Sequence, residues 1–352
     1  MTRVVAALLF VLSLLAGLPA SAAAPRGSFT RKHFSAAPGL ERDYWVYRPS
    51  RLAFKHVPLV VYLHGCSQNA ADAAGGTRWN ELAEKKGFIA VYPDQRTEFS
   101  IDGSEPHGNG SGCWNWFNPG DQSRGRGEPA TIAGITRRVM SEYPIDRRRV
   151  YVIGASAGGD MASILGAAYP DLYAAIGVLA GCAYQSCSDV TGSNAYAQMG
   201  SRARVMPVFA VQSATDDLNV FALGAGMVRQ WLGTDDFADD GTLNLSVPRT
   251  PARREDHGLD SSAVSGLGTT GDPCIREQSH TCPGGLLGLK GSYPHTVERY
   301  VDSRGRSLID FWIIYGATHS YTGGDPDYSY TDPLGPDITS AAYRFFLAHP
   351  MR

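Results

Sequence analysis

The sequence predicts an α/β fold with a mostly parallel central sheet, helices on both faces and two loop insertions. Three observations carry this reading. Short runs of Val, Ile, Leu and aromatic residues alternate with stretches of helical period through most of the chain, as strands joined by crossover helices do. Most of those runs are apolar at every position, which fits strands buried on both faces. A Gly-x-Ser-x-Gly stands where one run gives way to a helical stretch, which is the place for a tight strand-to-helix turn.

Residues 1–24 read as an export leader: Arg3, an apolar run over 4–18, then Pro19-Ala20-Ser21-Ala22 with an Ala-x-Ala cleavage site. The run is too short to span a bilayer, and no later stretch is long enough, so no membrane anchor is expected. Strands are predicted at 44–47, 58–63, 88–92, 149–153, 174–180, 207–211 and 309–315. Helices are predicted at 71–86, 130–143, 156–169 and 221–232, and a last one at 338–348 after the turn and N-cap signal Gly335-Pro336-Asp337. Two segments break the alternation, at 95–121 and 233–295, and are read as insertions in a single domain spanning 25–352. The second carries Asp235, Asp236, Asp239 and Asp240; without alternating ligand spacing they read as a solvated acidic loop and not a calcium site.

The chain has 352 residues, 43% hydrophobic and 19% charged, with 32 Lys and Arg against 34 Asp and Glu for a net charge of −2. That composition excludes a disordered chain, a coiled coil and a nucleic-acid binder relying on bulk basicity. It gives mild support to an uncharged substrate. The six cysteines, in an exported protein, favour disulfides. Local closure pairs Cys182 with Cys187 and Cys274 with Cys282, leaving Cys66 with Cys113 as the long bridge. No Cys-x-x-Cys is matched by a second Cys or His pair, so neither a metal nor a cofactor is expected.

Gly154-Ala155-Ser156-Ala157-Gly158 carries the chemistry. Small neighbours let the backbone turn sharply and lift the Ser156 hydroxyl above the sheet edge. A serine needs a base, and the base an orienting carboxylate, placed later in the chain on loops that follow strands. His319, in Gly316-Ala317-Thr318-His319 after the run 309–315, is the candidate base; His280 and His295 are rivals inside the second insertion. The loop after 207–211 offers Asp216 and Asp217, of which only one can face the imidazole, while Asp332 reads as a turn residue. The oxyanion donors are expected to be the backbone N–H groups of Ala157 and of Cys66, which follows Leu63-His64-Gly65. A Cys66–Cys113 bridge would bring Trp114 and Trp116 near that turn, as substrate contacts or as a small core of their own loop.

Assembled, these residues resemble the secreted poly(3-hydroxybutyrate) depolymerase family of esterases, within the α/β-hydrolase fold. The matching stretches are Leu63-His64-Gly65-Cys66-Ser67-Gln68, 112–117, 154–159, Tyr169-Pro170-Asp171, 316–319 with Gly323-Gly324, and 330–337, spread in order over about four-fifths of the chain after the leader. The resemblance implies a triad of Ser156, Asp217 and His319, with Asp217 chosen over Asp216 by its spacing to Val220, and an oxyanion hole at Cys66 and Ala157. The segment 213–220 lacks the family's His-Gly pair before the acid, and Cys182-Ala183-Tyr184-Gln185 departs from its Leu-Pro-Tyr-Gly-like segment. The implied activity is ester hydrolysis through an acyl-enzyme, outside the cytosol, on a polyhydroxyalkanoate-type polyester or a smaller ester. The alternatives are a feruloyl or acetylxylan esterase, a poly(aspartate) hydrolase, and a non-catalytic binding protein of the same fold. Depolymerases of solid polyester add a linker and a binding module, and this sequence is read as a catalytic domain alone. No oligomeric state is implied.

Overall fold

The computed structural model describes residues 27–37, 41–52, 56–95, 109–258 and 292–352. Among them the chain forms the strands β1 (Ser28–Ser35), β2 (Glu41–Arg48), β3 (Val57–Leu63), β4 (Ile89–Pro93), β5 (Ile145–Ala155), β6 (Ala175–Leu179), β7 (Val208–Ser213), β8 (Arg253–His257), β9 (His295–Val301) and β10 (Ser307–Ile314). All ten pair in one sheet of order β1-β2-β4-β3-β5-β6-β7-β10-β9-β8. The six central strands, β4 to β10 in that order, run parallel. The outer two at each side are antiparallel.

The apolar runs explain the centre. Every residue of β3 is buried, with Leu59, Val61 and Leu63 entering one core layer and Val60 and Tyr62 the other. The first layer is closed by α3 (Gly127–Glu142), α4 (Ala157–Ala168) and α6 (Phe221–Asp240), through Ile132, Met161, Leu165 and Trp231. The second is closed by α1 (Ala70–Gly76), α2 (Trp79–Lys86) and α7 (Ile338–Ala348), where Trp79 stacks on Phe346 and Phe346 on Tyr151. Each such side chain contributes about 1.5–3 kcal/mol by leaving water. A short α5 (Ser193–Met199) packs beside α4 and α6.

The expected strands and helices are present, with six differences. The edge strands β1, β8 and β9 and helix α5 were not predicted. β1 carries Arg31, Lys32 and His33 and has no apolar run; it is held by its ladder to β2, by Phe29 stacked 4.8 Å from Trp45, and by Phe34, which fills the notch at Gly134 of α3. β8 reads Arg-Arg-Glu-Asp-His, a charged edge that resists pairing with a further strand. The helix expected at 71–86 is two, broken at Thr77-Arg78, where Arg78 takes a φ of 58°. The helix expected to end at 232 continues to Asp240, which corrects the solvated acidic loop. Asp235 and Asp236 are fully buried, Asp235 accepting from the Met206 N–H (2.7 Å) and Asp236 from the N–H groups of Leu245 (2.9 Å) and Val247 (2.8 Å); only Asp239 and Asp240 face solvent.

Cys66–Cys113 and Cys182–Cys187 are disulfides, as local closure suggested. The leader at 1–24, the expected Cys274–Cys282 pair and His280 lie outside the described residues. Among the described residues, no helix is long and apolar enough to cross a membrane and no cluster of His, Cys, Asp and Glu could hold a metal ion.

Candidate active site

Ser156 sits between the end of β5 and the start of α4 with φ 55° and ψ −127°. A non-glycine residue there costs about 1–3 kcal/mol, so the surroundings must impose it. They do so by close packing. A Cβ on Gly154 would lie 2.3 Å from the Gly158 carbonyl oxygen, and one on Gly158 2.1 Å from that of Leu63, while the Ser156 N–H donates to the Leu179 carbonyl at 2.8 Å. The two glycines of the motif therefore let β3, β5 and α4 meet, and the serine is what the turn holds up.

The turn after β3 lies directly beside it: a Cβ on Gly65 would be 3.4 Å from Ser156 Cβ. Two consecutive peptide planes in this turn are pinned. The His64–Gly65 plane is held at its carbonyl by the Trp114 indole N–H (3.1 Å) and at its N–H by Gln68 Oε1 (2.9 Å). The Gly65–Cys66 plane is held at its carbonyl by His64 Nδ1 (2.8 Å). His64 is fully buried and its Nε2 accepts the Gln95 N–H at 3.0 Å, so Nδ1 carries the proton; burial also pushes its pKa down, which keeps the ring neutral. A trans peptide points its N–H opposite its C=O, so the Cys66 N–H is turned away from His64, and Cys66 lines the cavity beside Ser156. The bridge to Cys113 fastens the same turn to the segment that supplies Trp114.

His319 follows β10, and its Nδ1 lies 2.9 and 3.1 Å from the two carboxylate oxygens of Asp216. This corrects the expectation of Asp217, which is exposed on the outside of the same loop. The physical reason is local turn chemistry. Asp216 Oδ1 accepts the N–H groups of Leu218 (3.0 Å) and Asn219 (2.8 Å), and its Oδ2 takes the Gln212 amide at 3.2 Å, which locks a buried carboxylate toward the imidazole. The loops after β7 and β10 are sewn together by Ala214 N–H on Ile314 O (2.8 Å) and Thr215 Oγ1 on Ala317 O (2.6 Å). Gln212, a buried polar residue that follows the apolar run Val208 to Val211, is the sequence signal that could have pointed to Asp216.

Ser156, Cys66, Asp216 and His319 border one cavity of about 190 Å³, whose walls include Tyr62, Leu179, Val211, Ile314, Tyr321 and Tyr330. Trp114 and Trp116 do not border it, which corrects their reading as substrate contacts. Trp114 is wholly buried with its indole spent on His64, and Trp116 is half-buried against the core beside Phe117. His295, the rival base, opens β9 and is stacked between His257 and Trp312, away from Asp216. Asp332 is the turn residue expected, accepting from Leu334 N–H (2.8 Å) and Tyr293 OH (2.7 Å).

Sequence reading overlooked Asp160, in the first turn of α4. It is buried and accepts the Cys182 N–H at 2.7 Å. Burial pushes its carboxyl up to about 7, against the opposing pull of that hydrogen bond and of His319.

A family model described as Esterase PHB depolymerase matches residues 42–235, which include the turn after β3 and Ser156. The chain belongs to the Esterase PHB depolymerase family. Among its relatives in this family context, poly(3-hydroxyalkanoate) depolymerase C of Paucimonas lemoignei is 29% identical over 78% of this chain and 59% of its own length. A probable acetylxylan esterase A of Aspergillus fumigatus is 33% identical over 45% of this chain and 40% of its own. The chain thus spans between two fifths and three fifths of the length of these curated relatives. The solved acetyl xylan esterase from Aspergillus awamori superposes with a TM-score of 0.58 at 18% identity, covering 91% of this chain and all of the other, which places the present chain in the same α/β-hydrolase fold.

Proposed function

We propose that the protein is a serine esterase that hydrolyses carboxylic esters through an acyl-enzyme. The observation that carries this reading is the His319–Asp216 pair bordering the same cavity as Ser156 and the Cys66 turn. With Nδ1 occupied by Asp216, His319 keeps Nε2 for the cavity. In the proposed first step Ser156 Oγ attacks the ester carbonyl carbon and passes its proton to Nε2, while the carbonyl oxygen takes the negative charge. The N–H groups of Cys66 and Ala157 stabilise that charge, the latter with the help of the α4 N-terminus. Collapse expels the alcohol, which takes the proton from His319. A water molecule, deprotonated by the same nitrogen, then attacks the acyl-Ser156 carbonyl, and the carboxylic acid leaves as Ser156 recovers its proton.

The cavity volume suits a short acyl group, and the walls are mostly apolar, which supports an uncharged ester. We place a polyhydroxyalkanoate-type ester first, because the relative named as a depolymerase matches over the larger part of the chain. Acetylated or feruloylated polysaccharide is the second reading, supported by relatives named acetylxylan esterase and feruloyl esterase. The leader at 1–24 and the two disulfides support action outside the cytosol.

The test is direct. A fluorophosphonate should label Ser156 in the folded protein, and label should be absent in Ser156→Ala. Hydrolysis of short-chain aryl esters, methyl ferulate, acetylated xylan and amorphous poly(3-hydroxybutyrate), measured side by side, assigns the acyl group. A folded protein that takes no label and cleaves none of them is not an esterase, and turnover of poly(aspartate) without turnover of esters would make it an amidase.

A further inference from the structure

Gln68 hydrogen-bonds both the turn after β3 and the segment that leans on His319. Its Oε1 accepts the Gly65 N–H at 2.9 Å, and its Nε2 donates to the Ser329 carbonyl at 2.9 Å and to the Ser329 hydroxyl at 3.3 Å. The two partners fix the amide orientation, since one can only donate and the other, a carbonyl, can only accept. The contact joins positions 261 residues apart in sequence.

Ser329 precedes Tyr330, which lines the cavity, has a φ of 53° and sets its ring edge-on to His319 with centroids 6.4 Å apart. Such a backbone conformation persists in a tyrosine only when its neighbours over-determine it. Here the Tyr330 carbonyl accepts the Tyr321 N–H at 2.7 Å, the Tyr328 ring rests on Gly75 of α1, and Gln68 holds the Ser329 carbonyl that precedes Tyr330. The same amide pins one of the two peptide planes that aim the Cys66 N–H.

We propose that Gln68 is a positioning residue that locks the oxyanion turn to the Tyr330 wall, so that the donor at Cys66 and the base at His319 keep one spacing across the cavity. It touches neither reacting atom. Its effect is on the transition state, where donor and base must act on the same tetrahedral carbon, and only weakly on ground-state binding.

The inference rests on the esterase reading, so wild-type turnover of an aryl ester is established first; a wild type with no turnover defeats that reading and not this one. In an active protein, Gln68→Met, which keeps the length and loses all three hydrogen bonds, should lower kcat about 10- to 100-fold with KM changed less than about threefold. Affinity for an alkylboronic acid, which mimics the tetrahedral adduct on Ser156, should fall by a similar factor. Gln68→Glu keeps the acceptor for Gly65 but has no N–H for Ser329, so it should be intermediate. Wild-type kcat in Gln68→Met overturns the proposal. So does a loss confined to KM or melting temperature with boronate affinity unchanged, which is what a merely structural glutamine would show. If Gln68→Met fails to fold, wild-type kcat and boronate affinity in Gln68→Glu overturn it equally.

Discussion

At the scale of single residues, the acid of the site is decided by hydrogen bonds that adjacent positions cannot share. Asp216 is buried, faces His319 and is held by the N–H groups of Leu218 and Asn219, whereas Asp217 points to solvent. Asp216→Asn should therefore lower kcat on an aryl ester by roughly 10³–10⁴, the order seen when the orienting carboxylate of such a triad is neutralised. Asp217→Asn should change it less than about threefold. Comparable losses in the two variants would contradict the assignment. Asp160 gives a second prediction, in pH. Its folded pKa, raised to about 7 by burial, lies above the ordinary value of 3.8, so the folded protein binds the extra proton between those limits. Its contribution to stability is complete below about pH 4 and is lost as pH rises through 7. Asp160→Asn cannot ionise and can still accept the Cys182 N–H. Relative to wild type it should gain stability between pH 4 and pH 8, read as a widening difference in urea midpoints; a constant difference would show that Asp160 does not titrate there.

At the scale of elements, the oxyanion turn is the case where covalent and non-covalent ties converge. Cys66–Cys113 closes a loop of sequence separation 47. Replacing both cysteines by serine should cost about 2–4 kcal/mol of stability, since the unfolded chain is released from that constraint. It should also reduce kcat, because Trp114 and the turn it pins lose their tether. A stability loss with full activity would mean that the hydrogen bonds alone aim the donor. The elements also mark what could be read in the sequence. β3, β4, β6 and the first four residues of β7 are legible because burial on both faces favours an unbroken apolar run. β1 and β8 are not, because an edge strand needs only a ladder on one side and carries charge on the other. The end of α6 was missed because Asp235 and Asp236 look like surface residues until their backbone partners at Met206, Leu245 and Val247 are known.

At the scale of the whole molecule, the proposed nucleophile, acid and base come from the ends of β5, β7 and β10, which lie within one stretch of the sheet, β5-β6-β7-β10. Loss of fluorophosphonate labelling and loss of far-UV circular dichroism should therefore coincide in urea. Labelling that fails well before the sheet melts would show that the loops open independently of it. Ser156 and His319 were legible because glycine spacing and position after a strand are statements about sequence order. The choice between Asp216 and Asp217, and the burial of Trp114, were not, because each depends on which way a side chain turns inside a loop that is closed by residues far along the chain. Trp114 looked like a binding aromatic and instead supports the carbonyl of His64.

The bridge between Cys66 and Cys113 also makes a covalent ring of the chain between them, and β4, sandwiched between β2 and β3 in the sheet, lies on that ring. A protease that cuts once between residues 67 and 112 would open the chain without dividing the molecule. The two fragments would stay joined through sulfur, and the strand on the ring would stay laced into its neighbours. A nicked sample would therefore run as a single species until reductant is added, and for an enzyme proposed to work among extracellular proteases that is a form of endurance separate from thermodynamic stability.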